Sequence, residues 1–383
     1  MDSLRTAEQK AIANAVIKIT GKYGHAYFVA SAREGRKLEE LWDEIAAAGY
    51  AGVNLPEKYG GGGGGIADLA VVAEEMAAQG CPLLTLIVSP AICGGIIARH
   101  GTEEQCRRWL PGLASGAKKM AFAITEPDSG SNSHEISVSA EYRDGQWHLN
   151  GTKYYISILD EAEHVLVVAR TSTGTDRRNR HSLFVVPTNS PGVAFSMIPV
   201  EMVAPEKQFT LTFDDVLVGK ENLLGAAGEG LQIMFDGLNP ERIMAAAISN
   251  GIGRYALTMA VSYACDRQVW GVPIGSHQGL AHPLAEQYIR LQQSRLMAMH
   301  AAMQFDLGSD AGEAANIAKF AAAEASLGAL DQAIQTHGGN GLSTEYGLAD
   351  LWFVARLLRT APVSREMILN FVASHSLGLP RSY

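Results

Sequence analysis

The chain has 383 residues, enough for two or three domains, and its hydrophobic share of 47% can fill a sizeable core. A formal net charge of -9 argues against nucleic-acid binding as the main activity, while leaving room for an anionic ligand held by a local basic cluster. Cys81, Cys93, Cys106 and Cys265 have no C-x-x-C spacing and the histidines show no metal-ligand pattern, so free thiols and no metal are expected. Residues Met1 to Arg5 carry an early acid and no apolar run, which predicts no signal peptide and a cytoplasmic protein.

Residues 1–118 read as a helical domain, in which Leu38, Leu41, Trp42, Ile45 and Ala48 recur at helical spacing. Gly60 to Gly65 is an unbroken glycine run. No strand precedes it and no Lys-Ser or Lys-Thr follows, so a flexible surface loop is expected rather than a phosphate cradle. Leu83 to Ala98 is strongly apolar, yet Ser89-Pro90 and Gly94-Gly95 interrupt it and it is short for a membrane span. It reads as buried core.

Residues 119–220 switch to a strand period. Asp144-Gly145 and Asn150-Gly151 are two-residue hairpin signals. Val165 to Ala169, Ser182 to Val186 and Phe209 to Phe213 are β-rich runs, so a small barrel or sandwich is expected. Residues 221–383 return to long alanine- and leucine-rich helices with few breakers, the pattern of an antiparallel bundle. No internal repeat is evident.

Ala121-Phe122-Ala123-Ile124-Thr125-Glu126-Pro127-Asp128-Ser129-Gly130-Ser131-Asn132 resembles the segment that acyl-CoA dehydrogenases lay along the flavin ring. Lys153-Tyr154-Tyr155-Ile156-Ser157, Arg267-Gln268-Val269-Trp270-Gly271 with Gln278, and Gln335-Thr336-His337-Gly338-Gly339-Asn340-Gly341 fit the same family at matching spacing. The resemblance covers nearly the whole chain. It implies an α+β, mainly α fold: an N-terminal helical domain, a middle β-barrel domain and a C-terminal four-helix bundle. It also implies FAD between barrel and bundle, an acyl-CoA substrate, electron-transfer flavoprotein or a similar electron acceptor, and a homotetramer.

The resemblance also implies roles for particular residues. Phe122, Ile124, Thr125 and Ser131 would line the flavin, with Ser131 also near the thioester or pantetheine. Tyr155 would stack on the ring and Ser157 would place a hydroxyl near N5. Arg267 suits a pyrophosphate because its planar fork bonds two oxygens at once. Trp270 stands where phenylalanine is usual, and Gln278 matches the family glutamine. Gln335, Gly338 and Gly339 belong to the loop with which a neighbouring subunit touches the cofactor. His337 beside these glycines is expected to be structural.

The family's usual base is a glutamate 23 residues after the second glycine of that loop, and here Pro362 stands there. The following Val363-Ser364-Arg365-Glu366 keeps the register, so Ser364 and Glu366 belong to a flavin-contacting stretch and Glu366 is not a displaced base. Isovaleryl-CoA and long-chain relatives carry the base on another helix, just before an arginine. Asn239-Pro240-Glu241-Arg242 matches that segment, which makes Glu241 the candidate base and Asn239 and Arg242 the residues that would meet the CoA. The plain alternative is that Glu241 is a helix-surface acid paired with a neighbouring cation. Three functions stay open at this point: an acyl-CoA dehydrogenase, a flavoprotein of the same fold with oxidase-like chemistry, and a non-catalytic subunit of a mixed oligomer.

Overall fold

The computed structural model describes residues 5–171 and 181–381. The amino-terminal reading of residues 1–4 lies outside them. Six helices open the chain: α1 (Ala7–Thr20), α2 (Gly24–Arg33), α3 (Glu39–Ala47), α4 (Ile66–Ala78), α5 (Gly95–His100) and α6 (Glu103–Ala114). Helices α1 and α6 start at capping boxes, Thr6 with Gln9 and Thr102 with Gln105, which satisfy orphan N–H groups at each N-terminus. In α3 the helical spacing holds, with Leu41, Trp42 and Ile45 buried and the Trp42 indole donating to the Gly116 carbonyl at 2.8 Å.

The glycine run differs from expectation. It is packed rather than loose: the N–H groups of Gly62, Gly63 and Gly64 donate to the carbonyls of Gly52, Leu55 and Val53. A Cβ on Gly61 would lie 2.2 Å from the Leu55 carbonyl oxygen, so the glycine is needed for close backbone approach. Leu83 to Ala98 is buried core, as its apolar content predicts. Its middle, Ile87–Gly94, is a π-helical stretch that leads directly into α5.

The middle region holds β1 (Met120–Ala123), β2 (Ser139–Arg143), β3 (Gln146–Ser157), β4 (His164–Thr171), β5 (His181–Pro187), β6 (Val193–Ile198), β7 (Gln208–Val218) and β8 (Leu223–Leu224). They pair in the order β6-β7-β3-β2-β4-β5-β8, with β1 also on β4. Strands β6 and β8 are not bonded to each other, so no closed barrel forms among the described residues. Side chains alternate between two cores as the period of two requires. Leu166, Val168, Leu183 and Val185 join the helical core, while Val165, Val167, Phe184 and Val186 face a second, all-sheet core. Trp147 of β3 meets Phe184 of β5 at 5.3 Å although β2 and β4 lie between those strands, so the sheet curls strongly.

Asp144-Gly145 is the hairpin turn between β2 and β3, both residues at positive φ. Asn150-Gly151 is not a hairpin. It sits inside β3 at a register shift, where Gly151 passes within van der Waals range of Val138 and the Asn150 side chain accepts the Asp215 N–H. The dipeptide therefore marks a bulge.

The C-terminal region is α7 (Gly230–Asp266), a short hairpin of β9 (Gln268–Val269) and β10 (Val272–Pro273), then α8 (Gln278–Asp306), α9 (Gly312–His337), α10 (Trp352–Thr360) and α11 (Arg365–Phe371). Helix α7 runs unbroken through Pro240. Helices α7, α8 and α9 pack against one another, and α10 packs against α9 and α7. Ser294 of α8 bonds Asn250 of α7 inside this bundle. Helix α4 lies across it, and its buried Glu74 and Glu75 receive Arg5, Arg254 and Arg295. No described helix is long and apolar enough to cross a membrane.

Candidate active site

The two sequence segments expected at a flavin ring are hydrogen-bonded to each other. The Tyr154 N–H donates to the Thr125 carbonyl at 2.8 Å, just beyond β1. Beneath them lies a buried ion pair that motif reading missed. Lys153 donates to the Ile124 carbonyl at 2.8 Å and to Glu126 at 2.9 Å. Glu126 in turn accepts from Ser137 N, Ser137 Oγ and Val138 N. Burial pulls the Lys153 ammonium down to about 8, while the lysine charge and these donors outweigh burial and hold the Glu126 carboxyl below its ordinary range. The pair pins the segment, β1 and the residues just after it, that carries Phe122, Ile124 and Thr125.

Tyr155 is half exposed and holds φ at +57°, an uncommon conformation for a side chain of this size. It stands at the register shift of β3 against β7, which turns its ring away from the regular pleat. The Ser157 hydroxyl donates to Gln208 Oε1 at 3.0 Å. Phe122 is buried, Ile124 and Thr125 are partly exposed, and Ser131 is exposed on the following loop.

Glu241 lies on the first third of α7. It makes no hydrogen bond or ion pair among the described residues, so the surface-pair alternative does not hold. It is partly exposed, and burial around it pushes its carboxyl up to about 7. The charges of Arg242 and Lys319 act the other way. Cys93, in the π-helical part of the apolar segment, is close enough for the Glu241 charge to act on its buried thiol. Asn239 and Arg242 are joined at 3.0 Å, and the Arg242 Nε–H is buried without a partner. That guanidinium thus retains capacity for an acceptor.

Lys319 is the second residue that sequence reading missed. It is 1% exposed on α9, and its ammonium donates to the carbonyls of Arg359 and Val363, on either side of Pro362. Its charge also acts between Arg242 and Glu241. Lys319 thereby ties the turn carrying Pro362 to α9 while its charge acts on Glu241. The signal in the sequence is a lone lysine within the alanine-rich run Ala314 to Ala325.

Arg267, Trp270, Gln278, Gln335, Gly338 and Gly339 gather at the far end of the bundle, all exposed. Trp270 is 88% exposed at a tight turn. A cavity of about 360 Å³ there is lined by Tyr263, Asp266, Arg267, His337, Asn340 and Tyr346, among others. A Cβ on Gly338 or Gly339 would meet no atom within 4 Å, so the loop borders open space. His337 stacks on Tyr263 at 4.2 Å, and its Nδ1 pairs with the Ala333 carbonyl, which is a structural role. Its buried Nε2 has no partner at the cavity. Between Glu241 and Asp266 helix α7 rises about 37 Å at 1.5 Å per residue. Ser364 caps α11 by accepting the Met367 N–H, and Glu366 is exposed in the first turn. No group of side chains suited to a metal ion occurs among the described residues.

Three family models match the chain: the acyl-CoA dehydrogenase N-terminal domain over residues 6–117, the middle domain over 121–216 and the C-terminal domain over 228–377. The chain is 52% identical over 382 residues to acyl-CoA dehydrogenase FadE12 of Mycobacterium tuberculosis, covering 99% of this chain and 98% of that protein. It superposes on a glutaryl-coenzyme A dehydrogenase solved with glutaryl-CoA at a TM-score of 0.94 and 29% identity, covering 100% of this chain and 98% of the other. The FAD complex of PigA gives a TM-score of 0.92 at 25% identity, with 99% and 100% covered.

Proposed function

This chain belongs to the acyl-CoA dehydrogenase family, and from that membership we propose that it is an FAD-dependent enzyme that converts an acyl-CoA thioester to the 2-enoyl-CoA, with Glu241 as the base. The observation that carries this reading is Glu241 itself: a carboxylate without a partner, raised to about 7, beside the turn where Pro362 replaces the usual glutamate. A base poised near neutrality suits removal of a weakly acidic α-proton.

Bound FAD supplies a hydride acceptor for the substrate β-carbon. Phe122, Ile124, Thr125, Tyr155 and Ser157 hold its ring in this reading, over the Lys153–Glu126 pair. Glu241 takes the α-proton. Arg242, with its free N–H, and Asn239 receive the CoA portion, together with Ser131. Ser364 and Glu366 flank the cofactor from the start of α11.

The far cluster of Arg267, Trp270, Gln278, Gln335, Gly338 and Gly339 fits the pyrophosphate and adenosine end, by an arginine fork and open glycine backbone around a cavity. This cluster lies about 37 Å from Glu241 along α7, which supports an FAD site completed by two subunits. In this reading the sites are shared between subunits of a homotetramer, with electrons leaving to electron-transfer flavoprotein or a similar acceptor. The exposed apolar stripe of Ile289, Leu296 and Met303 on α8 supports burial against another copy. The division near residues 118 and 220, and a barrel-like middle domain, belong to the same reading, supported by the curl that joins Trp147 to Phe184.

The substrate proposed is not a short straight chain, in keeping with a helix-borne base. Anaerobic titration with a panel of acyl-CoAs tests the whole. Flavin should bleach with branched or long acyl-CoAs, and Glu241→Gln should slow that bleaching by roughly 10²–10⁴, the ordinary worth of a positioned base. Purified protein without flavin would favour the structural-subunit reading, and flavin left unbleached by every thioester would favour other chemistry. Fastest reduction by butyryl-CoA would refute the chain-length proposal.

A further inference from the structure

Helix α9 contributes a buried cation that the reaction as described does not use. The Lys319 ammonium has two carbonyl acceptors, Arg359 and Val363, and no carboxylate within ion-pair range among the described residues. Burying a lysine without a paired anion is costly, and apolar side chains serve bundle packing better. The groups that face it explain its placement. Helix α7 presents Glu241 and Arg242, α9 itself carries Glu324, and α11 presents Glu366. Glu324 is already engaged by Arg359 and Arg365, which leaves Glu241 as the acid without a partner. Glu241 in turn faces only Arg242 from its own helix, Lys319 from α9 and the neutral Cys93 thiol from the π-helical segment.

Resting on the assignment of Glu241 as base, we propose that Lys319 is a positioning residue of the dehydrogenation site: its ammonium clamps the turn carrying Pro362 through the carbonyls of Arg359 and Val363, and its charge favours the ionised, proton-accepting form of Glu241 against the burial around it. The clamp matters because Pro362 lacks the N–H that could otherwise tie this turn to a neighbour. A single side chain thus couples the position of the turn to the charge state of the base. Burial weakens the ammonium to about 8, so the cation is present over the lower part of the range in which Glu241 ionises.

The test uses FAD-loaded enzyme with Lys319→Met, Lys319→Gln and Lys319→Arg, alongside Glu241→Gln. Two readouts are taken against pH: anaerobic flavin reduction, and infrared titration of the protonated carboxyl band assigned by its disappearance in Glu241→Gln. Removal of the cation should move the Glu241 midpoint upward by about one unit in both neutral variants, as loss of one nearby opposite charge does. Lys319→Arg should leave the midpoint near that of the native enzyme. A structural role alone would lower rates without moving the midpoint. An unmoved midpoint in both neutral variants overturns the proposal, and so does failure of both to fold, since Lys319 would then be a stability residue. Full-speed reduction in Glu241→Gln would instead sink the base assignment, which separates the two failures.

Discussion

Co-assembling Glu241→Gln subunits with Arg267→Ala subunits should restore about a quarter of native flavin reduction, although each variant alone is nearly inactive. The magnitude follows from geometry. Glu241 lies about 37 Å along α7 from Asp266, the residue before Arg267, a span that the proposed shared site divides between two subunits. Each site would then take its base from one subunit and its phosphate anchor from the other. In an equal mixture about half of the dimers are mixed, and each mixed dimer has one site with both native groups and one with neither. One half of one half is about a quarter. Both substitutions fall at residues with solvent exposure, so folding should survive. The assay is stopped-flow anaerobic bleaching of flavin by a reactive acyl-CoA, with the subunits co-expressed at equal levels and purified together through one tag common to both. Activity no higher than that of the parent variants would refute the shared site. It would mean that each FAD is completed within one chain.

Two further outcomes are expected. At low substrate, flavin reduction should rise with pH along a limb with its midpoint near 7, because the ionised Glu241 is the active form. The rate at pH 6 should be about a tenth of the plateau, and a limb centred near 4.5 would show that the base is another or differently placed carboxylate. Glu206 offers a stability test remote from catalysis. It is 2% exposed, its Oε1 accepts from Thr85, its Oε2 has no partner, and burial raises it to about 7. Because its folded value lies above the unfolded one, its burial costs nothing below about pH 4.5. The cost grows between 4.5 and 7 and is complete above 7. Glu206→Gln should therefore stabilise the protein by about 3 kcal/mol at pH 8, with the gain fading as pH falls to 4.5. Urea denaturation at several pH values measures this, and a gain that does not depend on pH would contradict the burial argument.

Much of the architecture was legible because it depends on local period and punctuation. The helical spacing around Trp42, the alternation in β4 and β5, and the turn at Asp144-Gly145 are short-range properties, and the fold keeps them. The glycine run misled because glycine signals either freedom or closeness, and only the neighbouring Val53 and Leu55 backbone decides which. Asn150-Gly151 misled for the same reason: Val138, twelve residues earlier, makes it a bulge.

Within the site, the sequence by itself singled out Glu241, Arg267 and the glycine loop, since each sits in a motif whose spacing survives along one chain. It could not show that Glu241 lacks a partner. A Glu-Arg dipeptide looks the same whether paired or not. Nor could it find Lys319 or the Lys153–Glu126 pair, because a lysine or glutamate reads as solvated until packing buries it. Lys319 meets Val363 across 44 residues, and Lys153 meets Glu126 across 27. Those encounters exist only once the helices and sheet have packed. Burial sets the electrostatics of such groups, and burial is a property of the tertiary structure.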